Sequence, residues 1–333
     1  MKLYMQQNQK ASITGIGSYL PSKILTNHDL EKMVDTSDDW IVQRTGIKER
    51  RIVENGMVTS DLAAQASLKA MEDAGISPQD IDMIITSTIT PDHFFPSTSC
   101  YIQQKIGAIR ASAFDILAAC AGFIYALSIA QSVVDSGAAK TILVVGAECL
   151  SKITDYTDRT TCVLFGDGAG AAIVQKSNTK HEIISTSLAA DGSQADILIM
   201  PGGGTRNPAS LESIQQRLHY IQFKGKEVFK LAITNITNLI LETVEKNGLK
   251  LSDIDLIIPH QSNLRIIEAT MEKLGLPMEK AFVNIDKYGN TSSASVPIAI
   301  DEARREGRLR KGDLVMLVAF GGGLTWGSSL IRW

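Results

Sequence analysis

The sequence predicts an α/β protein built from two similar halves. Three observations carry this expectation. First, Asp80-Ile81-Asp82-Met83-Ile84-Ile85 is echoed by Asp253-Ile254-Asp255-Leu256-Ile257-Ile258, an offset of 253 − 80 = 173. Second, each copy follows an amphipathic stretch closed by a glycine, Gly75 and Gly248, of the kind that ends helices in the left-handed conformation. Third, each copy is followed by a helix start and then an apolar strand. Cys120 to Gly137 leads to Ile142-Leu143-Val144-Val145-Gly146, and Asn290 to Gly307 leads to Leu314-Val315-Met316-Leu317-Val318-Ala319. An internal repeat of this length outranks other architectural cues, and repeated strand–helix–strand units belong to α/β folds.

The halves divide at the polar stretch Lys176–Lys180, giving residues 1–178, which hold Cys120, and residues 179–333, which hold His260 and Asn290. The glycines Gly137 and Gly307 differ by 307 − 137 = 170, which sets Cys120 against Asn290. Equivalent helix N-termini are then expected to converge on a pseudo-twofold axis in one compact body.

Composition limits the function classes. The chain has 333 residues, 44% hydrophobic and 21% charged, enough for a large core. A formal net charge of −3 gives no bulk attraction to nucleic acid or an anionic membrane. Four cysteines, Cys100, Cys120, Cys149 and Cys162, form no CxxC pair, which argues for a reducing compartment and against a cysteine zinc site. The first ten residues are polar and lack an apolar signal core. No run is expected to be apolar for the length a membrane span needs. The expected location is the cytoplasm.

Residues 11–18 read as the first strand and hold Gly15-Ile16-Gly17, too few glycines for a phosphate-binding fingerprint. Thr26-Asn27-His28-Asp29 reads as a capped helix start. In Thr36-Ser37-Asp38-Asp39-Trp40-Ile41-Val42-Gln43-Arg44, Trp40 and Arg44 are four apart and share a helix face. Such a pair suits a nucleotide base and a phosphate; a half-buried Trp under a surface Arg gives the same pattern. Pro201-Gly202-Gly203-Gly204 reads as a solvated loop, and Lys224-Gly225-Lys226 begins a long second-half helix.

Cys120 stands where an apolar strand turns into a run of good helix formers, within Ala118-Ala119-Cys120-Ala121-Gly122. Unpaired N–H groups and the positive helix end would favour thiolate there, and thiolate is the nucleophile. A buried structural cysteine fits the local pattern equally well. His260 ends the repeated second-half strand, where open α/β sheets bind ligands. Asn290, in Tyr288-Gly289-Asn290-Thr291-Ser292, reads locally as an ordinary N-cap. Phe320-Gly321-Gly322-Gly323 either lets a backbone N–H approach a ligand or makes a tight hairpin. Taken together, a thiol, an imidazole, an amide and a glycine N–H supply a nucleophile and a pocket for a negative oxygen.

With these motifs, and with Arg44-Thr45-Gly46-Ile47, Asp158-Arg159-Thr160-Thr161 and Phe165-Gly166-Asp167-Gly168, the chain resembles β-ketoacyl-[acyl carrier protein] synthase III. That family consists of thiolase-superfamily condensing enzymes that initiate type II fatty acid synthesis. The resemblance implies a thiolase-like fold, a five-layered αβαβα body of two duplicated halves, and a homodimer. It implies a catalytic triad of Cys120, His260 and Asn290, and an oxyanion hole from the N–H groups of Cys120 and Gly322. Thr36, Trp40, Arg44, Arg159, Phe229 and Asn263 fall on the family's coenzyme A site. Lys230, Arg265 and Lys273 fall on its basic docking face for acyl carrier protein, where Glu272 replaces a frequent further cation. Phe95 matches a residue that caps the partner's acyl pocket, and Phe320 belongs to that pocket. The implied substrates are an acyl-CoA, acetyl-CoA by the size of Phe95, and malonyl-acyl carrier protein, with no cofactor and no metal. The alternative is a related condensing enzyme of quinolone or polyketide type using another primer or acceptor. Thiolase proper lacks support because no second cysteine stands near Gly321–Gly323. A non-catalytic carrier-protein scaffold would not need the Cys, His and Asn together.

Overall fold

The computed structural model describes residues 10–177 and 181–333. The division between residues 178 and 179 therefore lies outside the described residues. Nine strands form one sheet. They are β1 (Lys10–Tyr19), β2 (Met83–Ser87), β3 (Ser112–Ile116), β4 (Thr141–Cys149), β5 (Asp167–Ser177), β6 (His181–Ala190), β7 (Leu256–Pro259), β8 (Leu314–Gly321) and β9 (Thr325–Arg332). Their order is β7-β8-β9-β6-β1-β5-β4-β2-β3. Seven helices matter to the site: α1 (Asp38–Thr45), α2 (Thr59–Ala74), α3 (Thr98–Ile106), α4 (Gly122–Ser136), α5 (Gly225–Lys246), α6 (Leu264–Leu274) and α7 (Ser295–Arg305).

The repeat is present in the register. Met83 pairs with Ile142 in parallel, and Leu256 pairs with Val315 in the same way; both residues shift by 173. Each half then adds antiparallel strands, β5 and β1 in the first and β9 and β6 in the second. The place of edge strand β3 is taken in the second half by an isolated bridge from Ile257 to Ala281. The halves join where β1 meets β6, at Ser12↔Glu182 and Ile13↔His181.

Helix α4 packs on β2, β4 and β5 of one half and on β6, β8 and β9 of the other, and α7 likewise reaches β1, β5, β7 and β8. These two helices are the middle layer. Helices α2 and α3 cover the first half-sheet from outside, and α5 and α6 cover the second. The result is the five-layered thiolase arrangement. Strand β4 is buried along its whole length, which is why it reads as a continuous apolar run rather than an alternating one. Gly15 and Gly17 serve packing: a Cβ on Gly15 would stand 2.4 Å from Ala70 O of α2.

The capped helix start at Thr26 is present, with a capping box and a single helical turn, Asn27–Leu30. Two expectations need correction. Residues 119–136 are long and apolar enough, by composition, to cross a membrane. That apolarity belongs to a core helix covered on both faces by sheet. The equivalence of Cys120 with Asn290 also fails. Both central helices are preceded by a 3-10 turn, Ala119–Ala121 and Ser292–Ala294. Each turn opens on a non-glycine residue with positive φ, Ala119 at 45° and Ser292 at 48°. These landmarks keep the offset of 173, so Cys120 is equivalent to Ser293. The offset drops to 170 only at the far glycines because α7 is the shorter helix, 11 residues against 15.

Candidate active site

Cys120 sits in the middle of its 3-10 turn, immediately before α4, and is 8% exposed. The turn is packed from below by glycine: a Cβ on Gly321 would lie 2.6 Å from Cys120 N. Thr325 Oγ1 lies 2.9 Å from Ala118 O and 3.2 Å from Gly322 O, which holds the glycine turn against the cysteine turn. Gly321 to Gly323 do join two paired strands as a hairpin, so both readings of the glycine run apply. Burial pushes the Cys120 thiol up to about 12, with the Ser292 hydroxyl opposing in part. The resting group is a neutral thiol, against the thiolate expected from the helix end alone: at this depth desolvation outweighs the dipole.

His260 follows β7 directly, with its N–H donating to Val318 O at 2.8 Å. The residue is 3% exposed, and neither ring nitrogen has a hydrogen-bond partner among the described residues. Burial depresses its pKa to about 3, so the imidazole is neutral at physiological pH. The neighbouring Gln261 fixes the strand end. Its Nε2 donates to Pro259 O and Phe282 O, and its Oε1 accepts from Asn284 N.

Asn290 is not a helix N-cap; a 3-10 turn separates it from α7. Its N–H donates to Leu164 O at 2.9 Å, and its carbonyl accepts from Gly166 N at 3.0 Å. Gly166 and Gly289 permit this approach, since a Cβ on Gly166 would stand 2.3 Å from Tyr288 O. The buried Arg50 steadies the same wall by donating to Val163 O. Asn290 Oδ1 accepts from Ser292 N at 2.9 Å. That bond orients the amide and leaves its N–H₂ without a protein acceptor among the described residues.

Cys120, His260 and Asn290 line one cavity of about 490 Å³. All three are buried, while Arg44, Lys226 and Arg265 line it at exposed positions. The space therefore runs from a basic rim to a buried floor. Trp40, Phe229, Asn263 and Phe320 also line it. Arg44 and Arg159 both stack over Trp40, 5.7 and 5.3 Å from the ring centre. Arg159 and Thr36 do not line the cavity themselves, and Arg159 donates to Asp35 O. Asn263 already spends its side chain, capping Arg265 N and donating to Arg44 O. Gly321 lines the cavity, and the following Gly322 lies against Leu198, which lines it too. Lys230 and Lys273 are exposed on α5 and α6. Phe95 is 85% exposed and lines no part of its own chain's cavity.

Sequence reasoning missed several residues here. Leu198 and Phe223, on a two-stranded ribbon, close one side of the cavity. Glu148, fully buried at the end of β4, bonds to the turn that follows Asn290. One acid ending the apolar run Ile142–Ala147 was the available signal. Among the described residues no group of three or more His, Cys, Asp or Glu side chains converges as a metal site would require.

Comparison with known proteins agrees with this architecture. The family model described as 3-oxoacyl-[acyl-carrier-protein (ACP)] synthase III matches residues 114–192, and the model of its C-terminal part matches residues 244–333. The β-ketoacyl-[acyl-carrier-protein] synthase III of Caldanaerobacter subterraneus subsp. tengcongensis is 56% identical over 323 residues, covering 97% of this chain and 98% of that protein. The crystal structure of 3-oxoacyl-[acyl-carrier-protein] synthase III from Aquifex aeolicus VF5 is 50% identical with a TM-score of 0.90, covering 97% of this chain and 100% of that one. The priming β-ketosynthase of the R1128 polyketide pathway is similar at 34% identity, with a TM-score of 0.89 and coverage of 99% and 98%. Sequence, fold and cavity agree, and the chain belongs to the β-ketoacyl-[acyl-carrier-protein] synthase III family.

Proposed function

We propose that this chain condenses an acyl-CoA primer with malonyl-acyl carrier protein, with loss of CO2, to give a 3-oxoacyl-acyl carrier protein and so initiate fatty acid synthesis. The observation that carries the reading is the single cavity in which a cysteine from one half meets a histidine and an asparagine from the other. The neutral thiol of Cys120 gives its proton to neutral His260 as sulfur attacks the acyl carbonyl. The negative oxygen that forms is held by the N–H groups of Cys120 and Gly322. Coenzyme A leaves with the proton, and the acyl group stays on Cys120. Malonyl-acyl carrier protein then loses CO2, and the electron pair moves onto the thioester oxygen as an enolate. His260 Nε2–H and Asn290 Nδ2–H donate to that oxygen. Burial keeps His260 neutral, which suits donation to the enolate; it also makes the ring a weak base, so the thiol proton passes to it only as the carbon–sulfur bond forms. The enolate carbon attacks the acyl-Cys120 carbonyl, and the sulfur departs and takes a proton from solvent, replacing the one that left with coenzyme A.

Trp40, Arg44, Arg159, Phe229, Asn263 and Thr36 are proposed to hold coenzyme A. The cation–ring stack at Trp40 supports an adenine there, sandwiched once an arginine swings aside. Lys230, Arg265 and Lys273 are proposed to receive the acidic carrier protein. Arg265, stacked over Phe229 at the rim, has the strongest support. Phe320 lines the acyl space of its own chain, and Phe95 is proposed to close that of a second copy. An exposed apolar edge supports such a homodimer: Phe94, Phe95 and Leu117 are 83%, 85% and 78% exposed beside edge strand β3. A reducing cytoplasm suits the four unpaired cysteines. No cofactor enters the scheme.

The test is labelling with radioactive acetyl-CoA, followed by condensation across primers of rising length. Cys120 should carry the label, and Cys120→Ser should carry none. Label retained on Cys120→Ser would refute the assignment. A preference for another primer or acceptor would favour the polyketide-type reading, which the R1128 enzyme supports at lower identity.

A further inference from the structure

Beneath the Asn290 turn lies a buried carboxylate that the scheme above does not use. Glu148 Oε2 accepts from Thr90 Oγ1 at 2.7 Å, from Thr88 Oγ1 at 3.1 Å and from Ile89 N at 3.1 Å. Its Oε1 lies 2.8 Å from Ser293 Oγ. Ser293 Oγ is also 2.9 Å from Ser87 O. One acid thus gathers the strand end and following segment of the first half, Ser87–Thr90, and grips a turn of the second half. Burying a carboxylate is costly unless its oxygens are satisfied. Glu148 is 0% exposed and is met by hydroxyls and an amide from two different parts of the fold.

The gripped turn is under backbone strain. Ser292 holds φ at 48°, a region disfavoured for a residue with a Cβ. The same Ser292 N–H sets the Asn290 amide. The backbone of Ser293 is also pressed onto β4: a Cβ on Gly146 would stand 2.3 Å from Ser293 O. The pseudo-symmetric position sharpens the contrast. By the offset of 173, Glu148 corresponds to Gly321, and Gly321 sits under the Cys120 turn without any side chain.

We propose that Glu148 is a positioning residue, whose carboxyl group clamps the Asn290–Ser293 turn to the first half and so sets the Asn290 amide for the enolate. This rests on the reading of Asn290 as an enolate donor. Glu148→Gln keeps the shape but puts an NH₂ in place of one oxygen, either reversing the Ser293 contact or facing the Thr88, Ile89 and Thr90 donors, and Ser293→Ala removes the hydroxyl that reaches the carboxyl group.

The experiment measures two half-reactions on folded protein: labelling of Cys120 by radioactive acetyl-CoA, and condensation with malonyl-acyl carrier protein. Glu148→Gln should lower kcat for condensation about tenfold or more, within the range for a misplaced oxyanion donor. Its KM for acetyl-CoA should stay within about twofold, and Cys120 labelling should be kept or rise. Ser293→Ala should act in the same direction, and the double variant should be no worse than Glu148→Gln, because coupled residues are non-additive. Condensation within twofold of wild type, labelling that falls in step with condensation, or additive effects would each overturn the proposal. If Glu148→Gln does not fold, Ser293→Ala decides by the same split between the half-reactions. Asn290→Ala separates the two levels. If it condenses normally, the reading of Asn290 fails; if it is impaired while Glu148→Gln and Ser293→Ala are not, only the clamp fails.

Discussion

The two turns that enter the central helices have the same backbone and opposite chemistry. Each opens on a strained non-glycine residue, winds one 3-10 turn and runs into a buried helix. The first-half turn is walled by small groups: Gly122 above Ser87, and Gly321 against Cys120 N. The second-half turn is built on polar contacts, with Ser292 on Asn290 and Ser293 on Glu148. Duplication supplied one frame twice. The proposed roles fit the difference: a sulfur nucleophile needs space and approach, and an amide donor needs a fixed direction.

That contrast is open to attack. The largest effect is expected from Cys120→Ser, which should lower condensation by about 10⁴-fold or more and abolish acyl labelling. Asn290→Ala should cost about a hundredfold in condensation while labelling survives; equal loss of both would mean that the halves do not divide the work. Next come the paired glycines. Gly321→Ala drives a methyl to 2.6 Å from Cys120 N, and Gly146→Ala drives one to 2.3 Å from Ser293 O. The first should depress labelling, and the second condensation, each by about tenfold or more. Matching profiles for the two variants would erase the distinction between the turns.

The smaller effects concern pH. With the Cys120 thiol pushed up to about 12, its alkylation by iodoacetamide should climb steadily to pH 10. A plateau near neutrality would show that the helix end wins over burial. His260 gives the reverse case. Its folded pKa lies near 3 against 6.5 when unperturbed, so between these values the unfolded chain binds a proton that the folded chain refuses. Stability from this source is full above pH 6.5 and is lost as the pH falls toward 3. The drop in melting temperature from pH 7 to pH 4.5 should therefore be smaller in His260→Gln than in wild type. Equal drops would mean that the buried ring is not held neutral.

Much of the frame was legible because strand register and helix-closing glycines repeat in the sequence itself. The offset of 173 between Asp80 and Asp253 reappears as paired strands. What misled was the far end of the central helices, where a length difference moved Asn290 opposite Cys120. Periodicity measures spacing, and a shortened helix shifts spacing without shifting the turn before it. The triad positions were visible as strand ends and helix starts, and the repeat led to the expectation that they meet, which the shared cavity bears out, although nothing local encodes a meeting of residues 120, 260 and 290. Glu148 was hidden for a related reason: an acid at a strand end reads as solvated until the second half is laid over it. Asn263 shows a further limit: the sequence does not reveal that a side chain lining the cavity is also engaged by Arg44 O and Arg265 N.

The unpartnered imidazole of His260 has a consequence for the order of events. In most sites a carboxylate or carbonyl on one ring nitrogen dictates where the proton resides. Here packing holds the ring, and among the described residues no group bonds Nδ1 or Nε2 to choose between them. On the proposed scheme the occupant of the cavity makes that choice, so a single residue would accept a proton from sulfur with one visitor and lend one to oxygen with the next.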